Sequence, residues 1–239
     1  MGKQLMVAIG LAGLVTVVLL LLTRSAPKQA VQDIPAAREQ LVQAWKLTRS
    51  VRAKMEMRAE GPAPALQRGT YEMKAEGDKR LVRVELTLMN PMGITPSDSA
   101  RLTSISDGQF TYVLNEQGGQ AMARKSPVDP SMHMDPVAFF AEMEQHGEME
   151  RLPDETWDGR AVTVIRVIPK GATLSEGYVV YYMAQDSGLI VRMIATEPSS
   201  GMTTHAGLSE VVLNEDIPSD RFVFRPPPGV EVQDLSTAP

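Results

Sequence analysis

The chain has 239 residues, 43% hydrophobic and 22% charged, with a net charge of −5 and no cysteine. That length fits one sizeable domain plus an appendage. The acidic balance argues against nucleic-acid binding, which needs a basic footprint, and the lack of cysteine excludes both a disulfide framework and lipid attachment through a thiol.

Leu5 to Leu22 is a run of eighteen uncharged residues between Lys3 and Arg24. As a helix it spans about 27 Å, close to the roughly 30 Å hydrocarbon core of a bilayer. Residues 1–24 are therefore expected to enter a membrane and to stay there as an uncleaved anchor. The alternative is a removed secretory signal. The run is longer than a usual signal core, and Arg24 or Lys28 spoils the cleavage sites after Ala26 and Ala30, whereas cleavage after Ser25 stays open. Residues 25–35 carry proline, lysine, glutamine and alanine without periodicity and read as a linker, which leaves 36–235 for the domain.

Ala36 to Arg49 predicts a helix, with Pro35 suited to its first turn and Leu41, Val42, Trp45 and Leu47 toward one side. Val51, Ala53, Met55, Met57 and Ala59 then alternate with Arg52, Lys54, Glu56, Arg58 and Glu60, the pattern of a half-buried antiparallel strand. After a break at Gly61 to Pro64, Gly69 to Ala75 is a second strand with Tyr71 and Met73 on one face. Beyond the Glu76-Gly77-Asp78 turn, Val82, Val84, Leu86 and Leu88 mark a third, so the three make a meander. Asn90 to Asp98 reads as a loop. Strands follow over 102–106, 109–114 and 120–124, with Asp107-Gly108 and Gly118-Gly119 as hairpin signals. Asp135 as N-cap, Pro136 in the first turn and Gly147 as a stop predict a helix through Gln145 that seats Val137, Phe139, Phe140 and Met143 on a sheet. Further strands are expected over 161–168, 177–184, 189–196, 202–213 and 221–224. The fold class is α+β, an antiparallel sheet of about ten or eleven strands with helices segregated against it.

At the C-terminus Phe222 and Phe224 alternate with Arg221, Val223 and Arg225, which in an extended chain points both rings to one face. Pro226, Pro227 and Pro228 then deny three donors to a ladder, and Gly229 frees a turn before Val230-Glu231-Val232. This segment resembles the C-terminal signature of the LolA-like family, carriers and relatives that handle lipoproteins in the bacterial cell envelope. Ser106-Asp-Gly-Gln-Phe-Thr-Tyr-Val-Leu-Asn115 is similar to a second motif of that family, a serine-aspartate-glycine turn leading into an aromatic strand.

The resemblance covers residues 36–235 and implies a strongly curved, incomplete barrel whose mouth is closed by helices over an apolar cavity. It implies a periplasmic location, either tethered to the inner membrane through residues 1–24 or soluble after cleavage. The expected partners are acyl chains of lipoproteins or lipids, with the protein acting as a monomer. A sixteen-carbon chain left in water forfeits on the order of 10 kcal/mol, so a carrier must offer continuous apolar surface. The expected lining is Met55, Met57, Tyr71, Met73, Val84, Leu86, Leu88, Phe110, Tyr112, Phe139, Phe140, Phe222 and Phe224. Fifteen methionines suit an irregular apolar ligand, although the same alternation also describes a filled core. In LolA-like carriers a basic side chain after an early strand helps lock the closed state, normally within an arginine-proline pair. The matching stretch here offers Lys74, Lys79 and Arg80 but no proline.

No catalytic residue, metal or cofactor is expected. His133, His146 and His205 lie far apart, and no zinc-protease, nucleophile-elbow or phosphate-loop motif occurs. His146, Glu148, Glu150, Asp154 and Glu155 read as a solvated loop, and His133 between Met132 and Met134 as a loop before a helix. Lys46, Arg49, Arg52, Lys54 and Arg58 read as surface charge. A second functional reading is a membrane-tethered sensor that binds a protein partner on the same scaffold.

Overall fold

The computed structural model describes residues 34–89, 100–128 and 135–235. The expected membrane segment 1–24, most of the linker, the loop Asn90 to Asp98, and Met132, His133 and Met134 lie outside the described residues. Among the described residues no helix is long and apolar enough to cross a membrane.

Helix α1 is Ile34–Leu47 and α2 is Pro136–His146. The strands are β1 Ser50–Glu60, β2 Ala65–Glu76, β3 Lys79–Met89, β4 Arg101–Ser106, β5 Phe110–Gln117, β6 Gln120–Pro127, β7 Gly147–Trp157, β8 Arg160–Pro169, β9 Tyr178–Ala184, β10 Ile190–Glu197, β11 Met202–Leu213 and β12 Val232–Asp234. They form one curved, unclosed sheet in the order β12-β6-β5-β4-β3-β2-β1-β11-β10-β9-β8-β7. Two meanders, β1 to β6 and β7 to β11, meet where β1 pairs with β11. Every pairing is antiparallel except that of β12 with β6.

Local chemistry sets the turns. Asp107 Oδ1 accepts from Gln109 N at 2.8 Å and Phe110 N at 2.7 Å, which starts β5. Gly118 and Gly119, at φ 57 and 78, make the two-residue turn that suits a twisted hairpin. Asp135 caps α2 by accepting from Val137 N at 2.7 Å, with Pro136 in the first turn and Gly147 at the end, as the sequence predicts.

Period-two alternation gives the sheet two distinct faces. On the inner face, directly paired residues run Leu102–Leu86–Gly69–Met55–Leu208, and beside them Leu88–Gln67–Met57–Ala206–Met193–Tyr181–Ile165. Both helices lie on this side: Ile34 and Leu41 of α1 and Phe139, Phe140 and Met143 of α2 form one buried cluster with Ile165, Tyr181 and Met183. Strands β8 and β9 are buried on both faces, because the β7–β8 hairpin folds back over the outside. There Trp157 Nε1 donates to Leu208 O at 2.9 Å, and the Arg192 guanidinium lies 4.4 Å from the Trp157 ring centre and 4.9 Å from that of Tyr182.

Two expectations are corrected. His146 to Glu155 is not a loop, since Gly147–Trp157 is the edge strand β7. Glu150 takes Arg166 of β8 as an ion partner at 2.5 Å, so its charges sit on a paired strand instead of ending one. Residues 221–224 are not a strand either. Ser219–Phe222 is a 3-10 turn after Pro218, and the chain beyond it crosses the outside of the sheet. Arg221 donates to Glu72 Oε2 at 3.0 Å and 2.9 Å, while Phe222 sinks beside Leu81 and Ile217. Alternation here records a segment lying flat on a surface, where every second side chain also points inward. The sheet ends instead on β12, paired with β6 after the proline run.

Gly69 lets β3 approach β2 closely: a Cβ there would sit 1.6 Å from the Glu85 carbonyl oxygen. Gly77, at φ 62, has open space around it. We predict that Gly69→Ala costs about 2–3 kcal/mol in urea unfolding and Gly77→Ala about 1 kcal/mol. Equal costs would show that the close approach at Gly69 does not shape the sheet.

Candidate functional site

The expected lining residues divide between the two faces. Met55, Met57, Tyr71, Met73, Val84, Leu86 and Leu88 share the inner face, and α2 brings Phe139 and Phe140 to the same side, with the Phe139 ring 4.7 Å from that of Tyr181. Phe110, Tyr112, Phe222 and Phe224 lie on the other side. Tyr112 belongs to the outer row Arg52–Glu72–Arg83–Ile105–Tyr112–Lys125, and Phe110 precedes it on that face with Lys125 Nζ 4.0 Å from its ring centre. Phe224 stacks on Tyr112 at 5.1 Å. Grouping these four rings with Met55 is thus corrected: residue types alone did not say which strand parity faces the helices, and the C-terminal segment turned out to pack outside.

The three basic residues divide in the same way. Arg80 alone faces inward, with its guanidinium carbon 5.5 Å from the ring centre of Trp45 at the end of α1. Lys74 points outward and holds the C-terminal segment, donating to Ile217 O at 2.7 Å and Ser219 Oγ at 3.0 Å. The Lys79 stem lies against Gly108.

The inner face is covered. Met55 is 3%, Met57 7%, Tyr71 0%, Met73 0%, Val84 4% and Leu86 3% exposed, and Trp45 belongs to their cluster. Of the expected lining residues on this face only Leu88 is half-buried, as are Gln67 and Met193 in its row. Burial pushes the Tyr71 phenol well above its ordinary range, reinforced by Asp135 and opposed by Arg80, and burial alone does the same to Tyr181. Both rings therefore stay neutral across the physiological range.

Several inner groups carry no motif and escape sequence reading. Ser104, Ser106 and Thr111, 5%, 4% and 5% exposed, share the inner face although serine and threonine at alternate positions ordinarily mark a solvated face. Elsewhere, a depression of about 650 Å³ lies at the hairpin tips, lined by Asp158, Arg160, Gln185 and Asp186. Its polar groups are engaged already. Arg160 pairs with Asp186 and donates to Val211 O, Gln185 donates to Asp154, and Asp158 accepts from Glu210 N.

No family model matches the chain, and no curated protein matches it by sequence. Solved structures do match its fold. An uncharacterized conserved protein from Thermus thermophilus superposes with a TM-score of 0.50 at 10% identity, over 85% of this chain and 99% of that one. A LolA superfamily protein from Nitrosomonas europaea gives 0.35 at 11% identity, over 80% and 97%. MucB in the Pseudomonas aeruginosa MucA/MucB complex gives 0.48 at 12% identity, over 80% of this chain and 61% of that one. At these identities the likeness is one of fold alone.

The raised phenols give a pH test. Folding holds protons on Tyr71 and Tyr181 that the unfolded chain releases near pH 10, so this contribution is complete below about pH 10 and falls as the pH rises above it. The double variant Tyr71→Phe, Tyr181→Phe should flatten that fall and leave the phenolate absorbance at about pH 11 unchanged. A loss of phenolate signal in the variant would show that these rings ionise in the folded protein.

Proposed function

We propose that this chain is a cell-envelope protein that holds an acyl chain of a lipoprotein or lipid between the inner face of its sheet and its two helices. The observation that carries the reading is the apolar lane Leu102–Leu86–Gly69–Met55–Leu208, in direct register across five neighbouring strands. Its four interstrand steps make about 19 Å, longer than the half-bilayer of about 15 Å that one acyl chain fills. Met55 lies in it, Met57 and Met193 belong to the next row of the same face, and such side chains adapt to an irregular tail.

Because the lane is buried, a tail enters only when its cover shifts, and Trp45 of α1 packs in the same cluster as the lane. An acyl chain then replaces apolar side chains with apolar methylenes, and its burial, on the order of 10 kcal/mol for sixteen carbons, offsets the uncovering. Arg80, against Trp45, is the one basic candidate placed where this movement would be felt. The protein works as a monomer in the periplasm, tethered to the inner membrane through residues 1–24 and handing lipidated clients on locally. One observation favours the sensor reading instead: the inner-face side chains are buried, which leaves the outside of the sheet as the surface open to a protein partner.

A photoreactive fatty acid tests the proposal on the full chain. Cross-links are expected on peptides carrying Met55, Met57, Val84 or Leu86. Labelling confined to the outer-face peptides around Phe110 and Tyr112, or none at all, refutes the acyl-binding reading.

A further inference from the structure

Two rows of the inner face are apolar through β1 to β3 but turn polar toward β5 and β6. One row of paired residues runs Val51–Met73–Val82–Ser106–Thr111, and the next runs Ala53–Tyr71–Val84–Ser104–Val113–Arg124. Arg80 is the inward position after Val82 on β3, at the same end of the sheet. Two buried atoms here lack a hydrogen-bond partner among the described residues, Arg80 Nε and Thr111 Oγ1. Leaving such groups unmet costs about 1–3 kcal/mol each, so a fold that places both on one face and toward one end of the strands leaves a demand for an acceptor. The nearby acid Asp135 acts on Tyr71, but its carboxylate already serves Val137 N at the start of α2. By strand and residue spacing the Arg80 and Thr111 backbones lie about 12 Å apart, a gap that an arginine side chain and one anionic head group span together.

We infer that this polar end binds the anionic head group, carboxylate or phosphate, of the amphiphile whose tail occupies the apolar lane. The inference rests on the acyl-binding reading and names its ligand class. The Arg80 fork donates paired N–H groups to two oxygens of the head group, the geometry that favours arginine over a point charge. Thr111 donates its hydroxyl, and Arg124, exposed on the same face, adds positive charge at the rim. The Trp45 ring that covers the guanidinium gives way to the head group when α1 shifts.

The test uses the full chain and three probes with the same tail: palmitate, palmitoyl-lysophosphatidylglycerol and uncharged monopalmitoylglycerol, measured by calorimetric titration. At least one anionic probe should bind about tenfold tighter than the uncharged one, and which of them does so distinguishes carboxylate from phosphate. Arg80→Gln should bring the anions to the level of monopalmitoylglycerol and change binding of the latter by less than about twofold, which also shows that the variant is folded. Thr111→Val should weaken the preferred anion by about threefold to tenfold. Equal binding of all three probes, or an undiminished preference in Arg80→Gln, overturns the head-group inference alone. Failure of every probe to bind overturns the acyl-binding reading with it.

Discussion

The pairing of β1 with β11 holds the architecture together. Residues about 150 positions apart in sequence meet there, Met55 opposite Leu208 and Met57 opposite Ala206, and through them two separate meanders become one sheet. The period-two geometry of strands makes the consequence unavoidable: once Met57 faces Ala206, the side chains paired outward from each, Leu88 on one wing and Tyr181 on the other, share a face. A slip of one residue would turn the charged set of β1 toward the helices. The bulge between Arg52 and Lys54 sits beyond this matched stretch, where Asp158 receives the freed Glu210 N–H.

Each face then receives its own cover, and the two covers differ in chemistry. Inside, α1 and α2 meet the sheet mainly through aliphatic and aromatic side chains, and the C-terminal end of α2 is also pinned by Lys170, which donates to Glu144 O and Gln145 O. Outside, the C-terminal segment is fixed by directed bonds: Arg221 to Glu72, Lys74 to Ile217 O, Arg83 to Arg221 O at 3.0 Å and Lys125 to Asp234 at 2.9 Å. Glu72 is the pivot of that arrangement. Its side chain is only 7% exposed and is held between Arg52 and Arg221, so losing one partner leaves a buried carboxylate half compensated. The contrast divides the molecule into a clamped, polar back and an apolar front.

Much of this division was legible before the structure. The alternation of β1 to β3 gave their inner sets correctly, and Asp135-Pro136 with Gly147 marked α2 to within a residue, because those signals are local. Sequence reading failed where tertiary context supplies the reason. Phe222 and Phe224 look like strand residues, yet the Glu72 carboxylate captures Arg221 and the Tyr112 ring captures Phe224, so the segment lies across the sheet. β7 was hidden by its charge and by Pro153, features that an edge strand tolerates because one side makes no ladder. Ser104, Ser106 and Thr111 gave no warning of burial, since a buried hydroxyl and one facing water look alike in sequence.

The central claim is that the helical cover moves aside for a hydrocarbon tail while the sheet stays as it is. The chain has no cysteine, so spin labels can be placed cleanly at Val137, exposed on α2, and Arg58, exposed on β1. Distances between them, measured by pulsed electron paramagnetic resonance with and without saturating palmitate, probe that movement directly. The account predicts a longer and broader distribution with palmitate, and an unchanged label distance between Arg58 and Lys54 on β1 alone. A Val137–Arg58 distribution that does not respond although palmitate is bound would contradict it.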